Sequence, residues 1–265
     1  MMESRTEALA MALAHAEEAG NTILSPSKQE GGLSLEQAYA IQMQNVLRRL
    51  KKGERLVGFK LGLTSAEAQK HFSVFEPDFG HLFSGMLVEA GGEIDLSTLI
   101  QPKVEGEIAF VTGQDLQGPG VTLVDVARAI DWVHPAIEII DSRIRNWEIT
   151  AADTIADNAS SARVVLGSGV PFTGEYDLSL IGMALSKNGE VLHTGAGAAV
   201  LENPLHAVSF LANELGKHGQ VLPAGSLILS GSLSGMLSVE AGDFFTAEFD
   251  GLGSVSIRFG GSDAK

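Results

Sequence analysis

Two glutamates, Glu105 and Glu107, stand in the otherwise apolar stretch 104–110. On a β-strand, residues two apart project from the same face, so both carboxylates point together while their neighbours face a core. Like charges this close repel, and burial raises the pKa of at least one carboxyl. A divalent cation removes that conflict, and oxygen ligands suit Mg²⁺, Mn²⁺ or Ca²⁺ better than zinc. The alternative is a solvated outer face on an edge strand.

A third carboxylate, Glu138, lies within the apolar run 136–140. A charge without a partner is rarely tolerated in such a run, because its burial is costly. Together with Glu105 and Glu107 it predicts a three-carboxylate site formed by two apolar strands. We interpret these glutamates as ligands of one hard divalent metal, Mg²⁺ or Mn²⁺.

Lys60 has a distinctive setting in the alternating segment 56–63. It shares a strand face with Gly58 and Gly62, and the two missing side chains beside it predict a hollow that another group can enter. A cation in such a hollow can bind a carboxylate or move a proton. A surface lysine on a glycine-rich edge strand is the alternative.

The formal net charge of the chain is -15 at pH 7. Nucleic acid and anionic membranes need a basic surface, so neither is an expected partner. The basic residues between positions 48 and 55 fit the C-terminal end of a helix, where cations are favoured. A small anionic substrate would need a local cation, which Lys60 can supply.

The 265 residues contain no cysteine. Disulfides, zinc–thiolate sites and a cysteine nucleophile are therefore excluded. The N-terminal segment carries Glu3 and Glu7 where a signal peptide would be basic, and no apolar run reaches the length of a membrane span. We expect a cytoplasmic protein.

Two kinds of element must position these groups. The first fifty residues predict two helices, the second capped by Ser34 with Gln37. Strand-like segments then dominate, with further helices capped at Thr122 and Asn203. The pattern predicts an α+β fold, with a helical N-terminal region (1–55) and a β-rich catalytic core of rolled or packed mixed sheets (56–265). Predicted strands fall at 56–63, 104–111, 132–141, 161–166, 183–192, 226–229, 245–249 and 254–259, with hairpin turns at 188–189 and 250–253.

Familiar catalytic motifs are missing or incomplete. The segment 195–200 begins like a dinucleotide-binding loop but lacks its final Gly or Ala. There is no P-loop, no G-x-S-x-G and no H-E-x-x-H. His134, within an apolar run, is interpreted as structural.

Several segments, in this order, carry a resemblance to a known family. They are Gly-Phe-Lys-Leu-Gly-Leu-Thr-Ser at 58–65, Glu-Pro-Asp-Phe-Gly at 76–80, the 105/107 glutamate strand, Glu-Ile-Ile-Asp-Ser-Arg at 138–143, Ala-Asp-Asn-Ala-Ser at 156–160 and Gly-Leu-Gly-Ser-Val at 251–255. From about residue 35 to its end the chain resembles the 2-hydroxypenta-2,4-dienoate (2-oxopent-4-enoate) hydratases of the fumarylacetoacetate hydrolase superfamily. That resemblance implies a metal-dependent lyase of meta-cleavage aromatic catabolism.

The same resemblance implies roles for individual residues. Glu105, Glu107 and Glu138 match the family's Mg²⁺ or Mn²⁺ ligands, Lys60 matches its active-site lysine, and Asp78 matches an acid at the pocket mouth. Ser160 and Ser232 are further candidates for hydrogen bonds to the substrate, the first from its motif and the second from a Gly-Ser turn after a strand. A homo-oligomer is implied, with a possible complex with a neighbouring pathway enzyme.

Other functions stay open. The sister enzyme 4-oxalocrotonate decarboxylase shares most of the pattern; Asp78 favours the hydratase, whereas Ser161 is closer to the decarboxylase. A catalytically silent partner subunit has no need of Lys60 in a glycine-lined hollow. Hydrolysis of an acylpyruvate would need a histidine–acid pair, and no clear one is evident in the sequence.

Overall fold

The structure of the protein, a computed structural model, describes residues 2–175 and 177–261. Within them the chain forms six α-helices: α1 (Met2–Ala19), α2 (Leu35–Lys51), α3 (Ala66–Phe72), α4 (Leu123–Ala129), α5 (Ala151–Ala156) and α6 (Leu205–Lys217). The strands over the same residues are β1 (Leu56–Gly62), β2 (Asp78–Phe83), β3 (Leu87–Val88), β4 (Glu93–Asp95), β5 (Pro102–Thr112), β6 (Ile130–Asp141), β7 (Ser161–Leu166), β8 (Val170–Pro171), β9 (Gly182–Lys187), β10 (Glu190–Ala196), β11 (Leu227–Ser232), β12 (Leu237–Ser238), β13 (Phe244–Phe249) and β14 (Gly253–Gly260).

The two N-terminal helices are confirmed. At the start of α2, the Ser34 hydroxyl accepts a hydrogen bond from the Gln37 backbone N–H, and the Gln37 side chain accepts one from the Ser34 N–H. Apolar side chains of α1 and α2 pack with those of α5, including Leu13, Ile41 and Ile155. The helical N-terminal part therefore lies against the segment that leads into the 156–160 motif.

The larger sheet has the strand order β2-β1-β11-β5-β6-β7-β3, with β12 added beside β5 and β8 beside β6. Its longest pair, β5 and β6, is antiparallel. Alternate residues of β5 enter different apolar clusters, Ile108 on one side and Ala109 on the other. Both faces are covered, which explains why these strands read as nearly continuous apolar runs.

The smaller sheet has the order β10-β9-β13-β14-β4. Its two predicted hairpins are confirmed, and Asn188 and Gly189 both have the positive φ values, 55° and 86°, that a tight hairpin turn requires. Side chains of this sheet share one core with the larger sheet: a Cβ on Gly106 would lie 3.1 Å from Met183. The predicted α+β fold of packed mixed sheets is confirmed.

Some predicted boundaries differ from the structure. The short helices α3 and α5 were not predicted, although Ser65 and Thr150 cap them as Thr122 caps the predicted helix α4. Helix α6 begins one residue later than expected, with Pro204 at the N-cap, and the Asn203 side chain accepts from the Leu205 N–H at 3.0 Å.

The proposed division at residue 55 remains a prediction. In the structure α2 ends at Lys51 and β1 begins at Leu56. Among the residues that the structure describes, no helix is long and apolar enough to cross a membrane.

A substitution at Gly58 tests how closely β1 approaches its neighbour β11. A Cβ at this position would lie 1.7 Å from the carbonyl oxygen of Leu227, a backbone atom that cannot rotate away. We expect Gly58→Ala to lower the free energy of unfolding by about 3 kcal/mol or more, the upper end of overpacking costs, as measured by urea denaturation. Gly182→Ala is the matched control, because a Cβ there meets nothing within 4 Å. Equal, small effects of both substitutions would contradict this close approach.

Candidate active site

The register of β5 and β6 brings the three glutamates together. Glu105 is directly opposite Glu138, and Glu107 lies two residues along β5 on the same face. One carboxylate oxygen from each lies within 4.8 Å of the others. Glu107 and Glu138 are buried, whereas Glu105 is half-buried and lines a cavity. The structure thus places the predicted cluster as expected, and its metal-binding role stays a prediction.

An irregularity in β11 supplies a hydrogen bond to this cluster. The pairing of β11 with β5 shifts between Leu229 and Ser232, and Gly231, inside the shift, has a φ of 106°. This conformation lets the Gly231 N–H donate to Glu107 Oε2 at 2.8 Å. A side chain is also excluded by space, since a Cβ on Gly231 would lie 2.1 Å from Thr64 Oγ1. Glycine is therefore required at this position both by the positive φ and by the lack of space for a side chain.

Burial perturbs the acidity of the cluster. It raises the pKa of Glu105 to about 7, with Lys60 opposing and Glu138 adding to the increase. Burial and then Glu138 hold the pKa of Glu107 well above its ordinary value. Glu107 Oε1 and Glu138 Oε1 are buried without a hydrogen-bond partner among the residues described, and Glu138 Oε2 has an ion pair with Lys60 at 3.0 Å. Closely spaced carboxylate oxygens with unused acceptor capacity are a donor set that fits one hard divalent cation.

Lys60 is the cation of the site. It is buried, and its Nζ lies 3.0 Å from Glu138 Oε2 and donates to the Ala159 carbonyl at 3.0 Å. Burial lowers the pKa of Lys60, but the surrounding carboxylates, Glu138 foremost, outweigh it and leave the pKa above its ordinary value. At neutral pH the side chain is therefore an ammonium.

The space that the sequence predicts beside Lys60 is occupied by other parts of the same chain. The space left by Gly58 is filled by the carbonyl of Leu227, and a Cβ on Gly62 would lie 2.2 Å from Asp78 Oδ1. The two glycines admit a neighbouring strand and an acidic side chain of the same chain. Both approaches depend on strand pairing, which a single strand pattern does not reveal.

Asp78, the first residue of β2, is paired with Gly62 of β1. Only 2% of it is exposed, and neither carboxylate oxygen has a hydrogen-bond partner within the described segments. Burial raises its pKa to about 6, although Lys60 counteracts this. Asp78 lines the cavity as a buried residue, because β2 is held against β1 at this point. The expectation that it lies at the pocket mouth stays a prediction.

The two candidate serines also line the cavity. Ser160 is buried just before β7, and its Oγ lies 3.5 Å from Thr154 Oγ1. Ser232 is the last residue of β11 rather than part of a turn, because the strand continues through the Gly231 irregularity. Its hydroxyl donates to the Ser234 carbonyl at 2.8 Å. Binding of a substrate by either serine remains a prediction.

A cavity of about 840 Å³ joins these groups. Lys60, Asp78 and Glu105 line it together with both serines. Its apolar wall comes from distant parts of the chain and includes Leu63, Phe72, Ile140, Trp147, Ile149 and Met236. A mostly apolar cavity with a few convergent charged groups is typical of a small-molecule site.

Some contributors were not found in the sequence. An isolated glycine within a strand can signal a bulge, so Gly231 had a usable signal. The Ala159 carbonyl had none, since every residue carries one. Trp147 lies close to Lys103, whose Nζ is 4.6 Å from its ring centroid, and enters the cavity wall from a segment far away in sequence.

Comparisons with known proteins agree with this geometry. The family model of the fumarylacetoacetate (FAA) hydrolase C-terminal region matches residues 60–259. A 2-keto-4-pentenoate hydratase of Paraburkholderia xenovorans (strain LB400) is 46% identical over 259 residues, covering 98% of this chain and 96% of the relative. A 4-oxalocrotonate decarboxylase of Pseudomonas putida is 40% identical over 258 residues, covering 97% and 98%. The solved structure of 4-oxalocrotonate decarboxylase from Pseudomonas putida G7, complexed with magnesium and adipate, superposes with a TM-score of 0.94 at 40% identity, covering 98% of each chain.

The raised carboxyl pKa values predict how stability depends on pH without metal. Burial raises the pKa of Glu105 to about 7 in the folded state, above its ordinary value of 4.5. Between these values the folded protein binds more protons than the unfolded chain, so this group's contribution to the free energy of unfolding falls as pH rises. In the presence of a chelator, we expect the free energy of unfolding of wild type to fall relative to that of Glu105→Gln as the pH rises from 4.5 to 7.

Thermal unfolding measures the difference in stability between the two proteins. Groups that titrate in both proteins cancel from this difference; one of them is His81, whose pKa is lowered to about 4 by burial. Added Mn²⁺ should stabilise wild type more at pH 7.5 than at pH 5, because metal binding needs deprotonated carboxylates. A difference that does not change with pH would contradict the raised pKa of Glu105.

Proposed function

This chain belongs to the fumarylacetoacetate hydrolase family, and on that premise we propose that it is a metal-dependent hydratase. It adds water to 2-hydroxypenta-2,4-dienoate to give 4-hydroxy-2-oxopentanoate, a lyase reaction of aromatic catabolism. The observation that carries this proposal is one cavity lined by Lys60, Asp78 and Glu105, the last of which belongs to the three-carboxylate cluster. The hydratase relative supports the choice of reaction.

The metal is held by Glu105, Glu107 and Glu138. When bound, a divalent cation supplies Lewis-acid stabilisation of negative charge on the C2 oxygen of the substrate. Mg²⁺ or Mn²⁺ is proposed, because the ligands are all oxygens and a related decarboxylase was solved with magnesium. The Gly231 N–H, which donates to Glu107 Oε2, orients that ligand.

Lys60 binds the substrate's carboxylate and handles protons. Glu138 and the Ala159 carbonyl occupy two directions around its ammonium, which carries three protons. The third proton remains for an anionic substrate, in a chain whose overall charge of -15 would otherwise repel it. This role fits a lysine that borders the cavity while being almost completely buried.

Asp78 exchanges protons with the carbon chain of the substrate and with water. The dienol loses its C2 hydroxyl proton and gains a proton at C5, and so becomes an α,β-unsaturated ketone; water then adds its hydroxyl at C4 and its proton at C3. A carboxyl with a pKa of about 6 has both protonated and ionised forms available near neutral pH, as acid–base catalysis requires. Ser160 and Ser232 border the same cavity and are proposed to bind the substrate's polar end.

The alternative reaction is decarboxylation of 4-oxalocrotonate to the same dienoate. Two observations favour it: Ser161, which follows the 156–160 motif, and the TM-score of 0.94 to a decarboxylase structure. The same stabilisation of charge at C2 serves both reactions, so the metal site does not discriminate between them. Higher identity to the hydratase relative, 46% against 40%, and the acid at Asp78 favour hydration.

Hydrolysis of an acylpyruvate is not supported. The histidine on the cavity wall is His71 of α3, and Glu67 of the same helix also lines the cavity. The ring of His71 packs against Phe72, with 5.0 Å between the centroids, and among the residues described it has no hydrogen bond or ion pair with Glu67, so the histidine–acid pair that water activation would use is not formed. Homo-oligomerisation, a complex with a neighbouring pathway enzyme and a cytoplasmic location are further proposals that rest on the resemblance.

An ultraviolet assay with Mg²⁺ on two substrates in parallel tests the reaction. We expect the dienoate chromophore to disappear with formation of 4-hydroxy-2-oxopentanoate, EDTA to abolish the reaction, and 4-oxalocrotonate to release no CO₂. Release of CO₂ from the diacid with no change in the dienoate would overturn the hydratase proposal in favour of the decarboxylase.

Glu107→Gln tests the metal ligands. The substitution keeps the size of the side chain but removes one anionic oxygen ligand, so we expect Mn²⁺ affinity and kcat/KM each to fall by about 100-fold or more. Calorimetric titration of Mn²⁺ and the ultraviolet assay measure the two losses. Glu190→Gln, an exposed glutamate of β10, is the matched control and should change neither. Full activity of metal-stripped Glu107→Gln would exclude this site.

A further inference from the structure

The segment before β7 contains an unusual run of backbone conformation. Asn158, Ala159 and Ser160 have φ values of 55°, 50° and 55°, which is the left-handed region. Single residues other than glycine adopt this region occasionally, but three in succession are disfavoured unless the surroundings hold them. The 158–160 turn borders the cavity through Ala159 and Ser160. Strain held next to a catalytic group points to a role in positioning it.

The side chain of Asn158 holds this turn against the edge of the larger sheet. Its Oδ1 accepts from the His81 backbone N–H at 2.8 Å, and its Nδ2 donates to the His81 carbonyl at 2.9 Å. β2 is the outer strand on this side of the sheet, so the amide takes the place of a further strand. Only an amide side chain offers a donor and an acceptor at this spacing; aspartate has acceptors alone.

Gly80 lets the turn come close. It is the partner of Lys60 in the β1–β2 pairing, and a Cβ on it would lie 2.4 Å from the Asn158 carbonyl oxygen. The turn therefore packs directly over the strand position beside Lys60. From there the Ala159 carbonyl accepts the hydrogen bond from Lys60 Nζ at 3.0 Å.

We propose that Asn158 is a positioning residue that acts through Lys60. Its amide fixes the 158–160 turn, the turn fixes the Ala159 carbonyl, and this carbonyl together with Glu138 fixes two directions of the Lys60 ammonium. The remaining proton is thereby aimed at the substrate. The effect on catalysis rests on the proposed function, whereas the effect on the Lys60 ammonium does not.

Nitrogen-15 NMR of the lysine side chains, without substrate, tests whether Asn158 orders the Lys60 ammonium. Burial and two acceptors should slow exchange of the Lys60 ammonium protons with water and make its ¹⁵Nζ signal visible; Lys60→Met identifies that signal by its loss. We expect Asn158→Ala to shift or broaden the signal beyond detection. Asn188→Ala is the matched control, because Asn188 also makes two hydrogen bonds through its amide, in the β9–β10 hairpin.

Steady-state kinetics test whether Asn158 affects catalysis through Lys60. We expect Asn158→Ala to lower kcat/KM by about 10- to 100-fold, since small displacements of a catalytic group are costly. In a Lys60→Met background the same substitution should change kcat/KM by less than about 2-fold, because its effect passes through the lysine. If Asn158 has a purely structural role, the losses of kcat/KM caused by Asn158→Ala and by Lys60→Met should multiply in the double variant.

The outcomes separate the two proposals. Multiplying losses, or a Lys60 signal that is the same in Asn158→Ala as in wild type, overturns the role of Asn158. If wild type transforms neither substrate, the proposed function fails and the NMR result alone decides whether Asn158 orders Lys60. Should Asn158→Ala not fold, Asn158→Asp carries both measurements, because it keeps the acceptor for the His81 N–H and replaces the donor to the His81 carbonyl with a charged acceptor.

Discussion

The balance of buried charge at Glu105, Glu107, Glu138 and Lys60 is the constraint to which the surrounding structure is fitted. Three carboxylates and one ammonium sum to two negative charges when all are ionised, and one divalent cation neutralises that sum. Without such a cation the cluster retains protons, as the raised pKa values of two of its glutamates indicate. The lysine and the carboxylates therefore form one electrostatic unit, whose remaining negative charge a divalent cation would balance.

Irregular backbone, rather than regular strands, completes this unit. The strands β5 and β6 deliver the carboxylates through ordinary register. A strand cannot turn an N–H toward Glu107 or a carbonyl toward Lys60, because both groups are used in its own pairing. The positive φ of Gly231 and the left-handed 158–160 turn do so instead. Local strain is thus concentrated where backbone groups meet the charged side chains.

The arrangement also explains how a strongly acidic chain can hold an anionic substrate. Lys60 is the cation on the cavity wall that lies against the carboxylate cluster, so it can offset the repulsion between these carboxylates and an anionic substrate. The related hydratase and decarboxylase have the same requirement, since their substrates carry a carboxylate next to an oxygen at C2. The charged cluster suits both reactions, and the acid at Asp78 is the cavity residue that favours hydration.

Much of this was determined by the sequence alone. Alternation placed Glu105 and Glu107 on one face of a strand, because side-chain direction on a strand follows from its period of two, and an apolar context placed Glu138 on a second strand. Glycine, asparagine and capping residues marked the hairpins and the second helix. The tertiary structure decided which groups meet: Gly62 admits Asp78, Gly80 admits the 158–160 turn, and the Ala159 carbonyl reaches Lys60. Those contacts depend on strand order and register between segments up to about a hundred residues apart, and backbone groups, which every residue carries, leave no mark in the sequence.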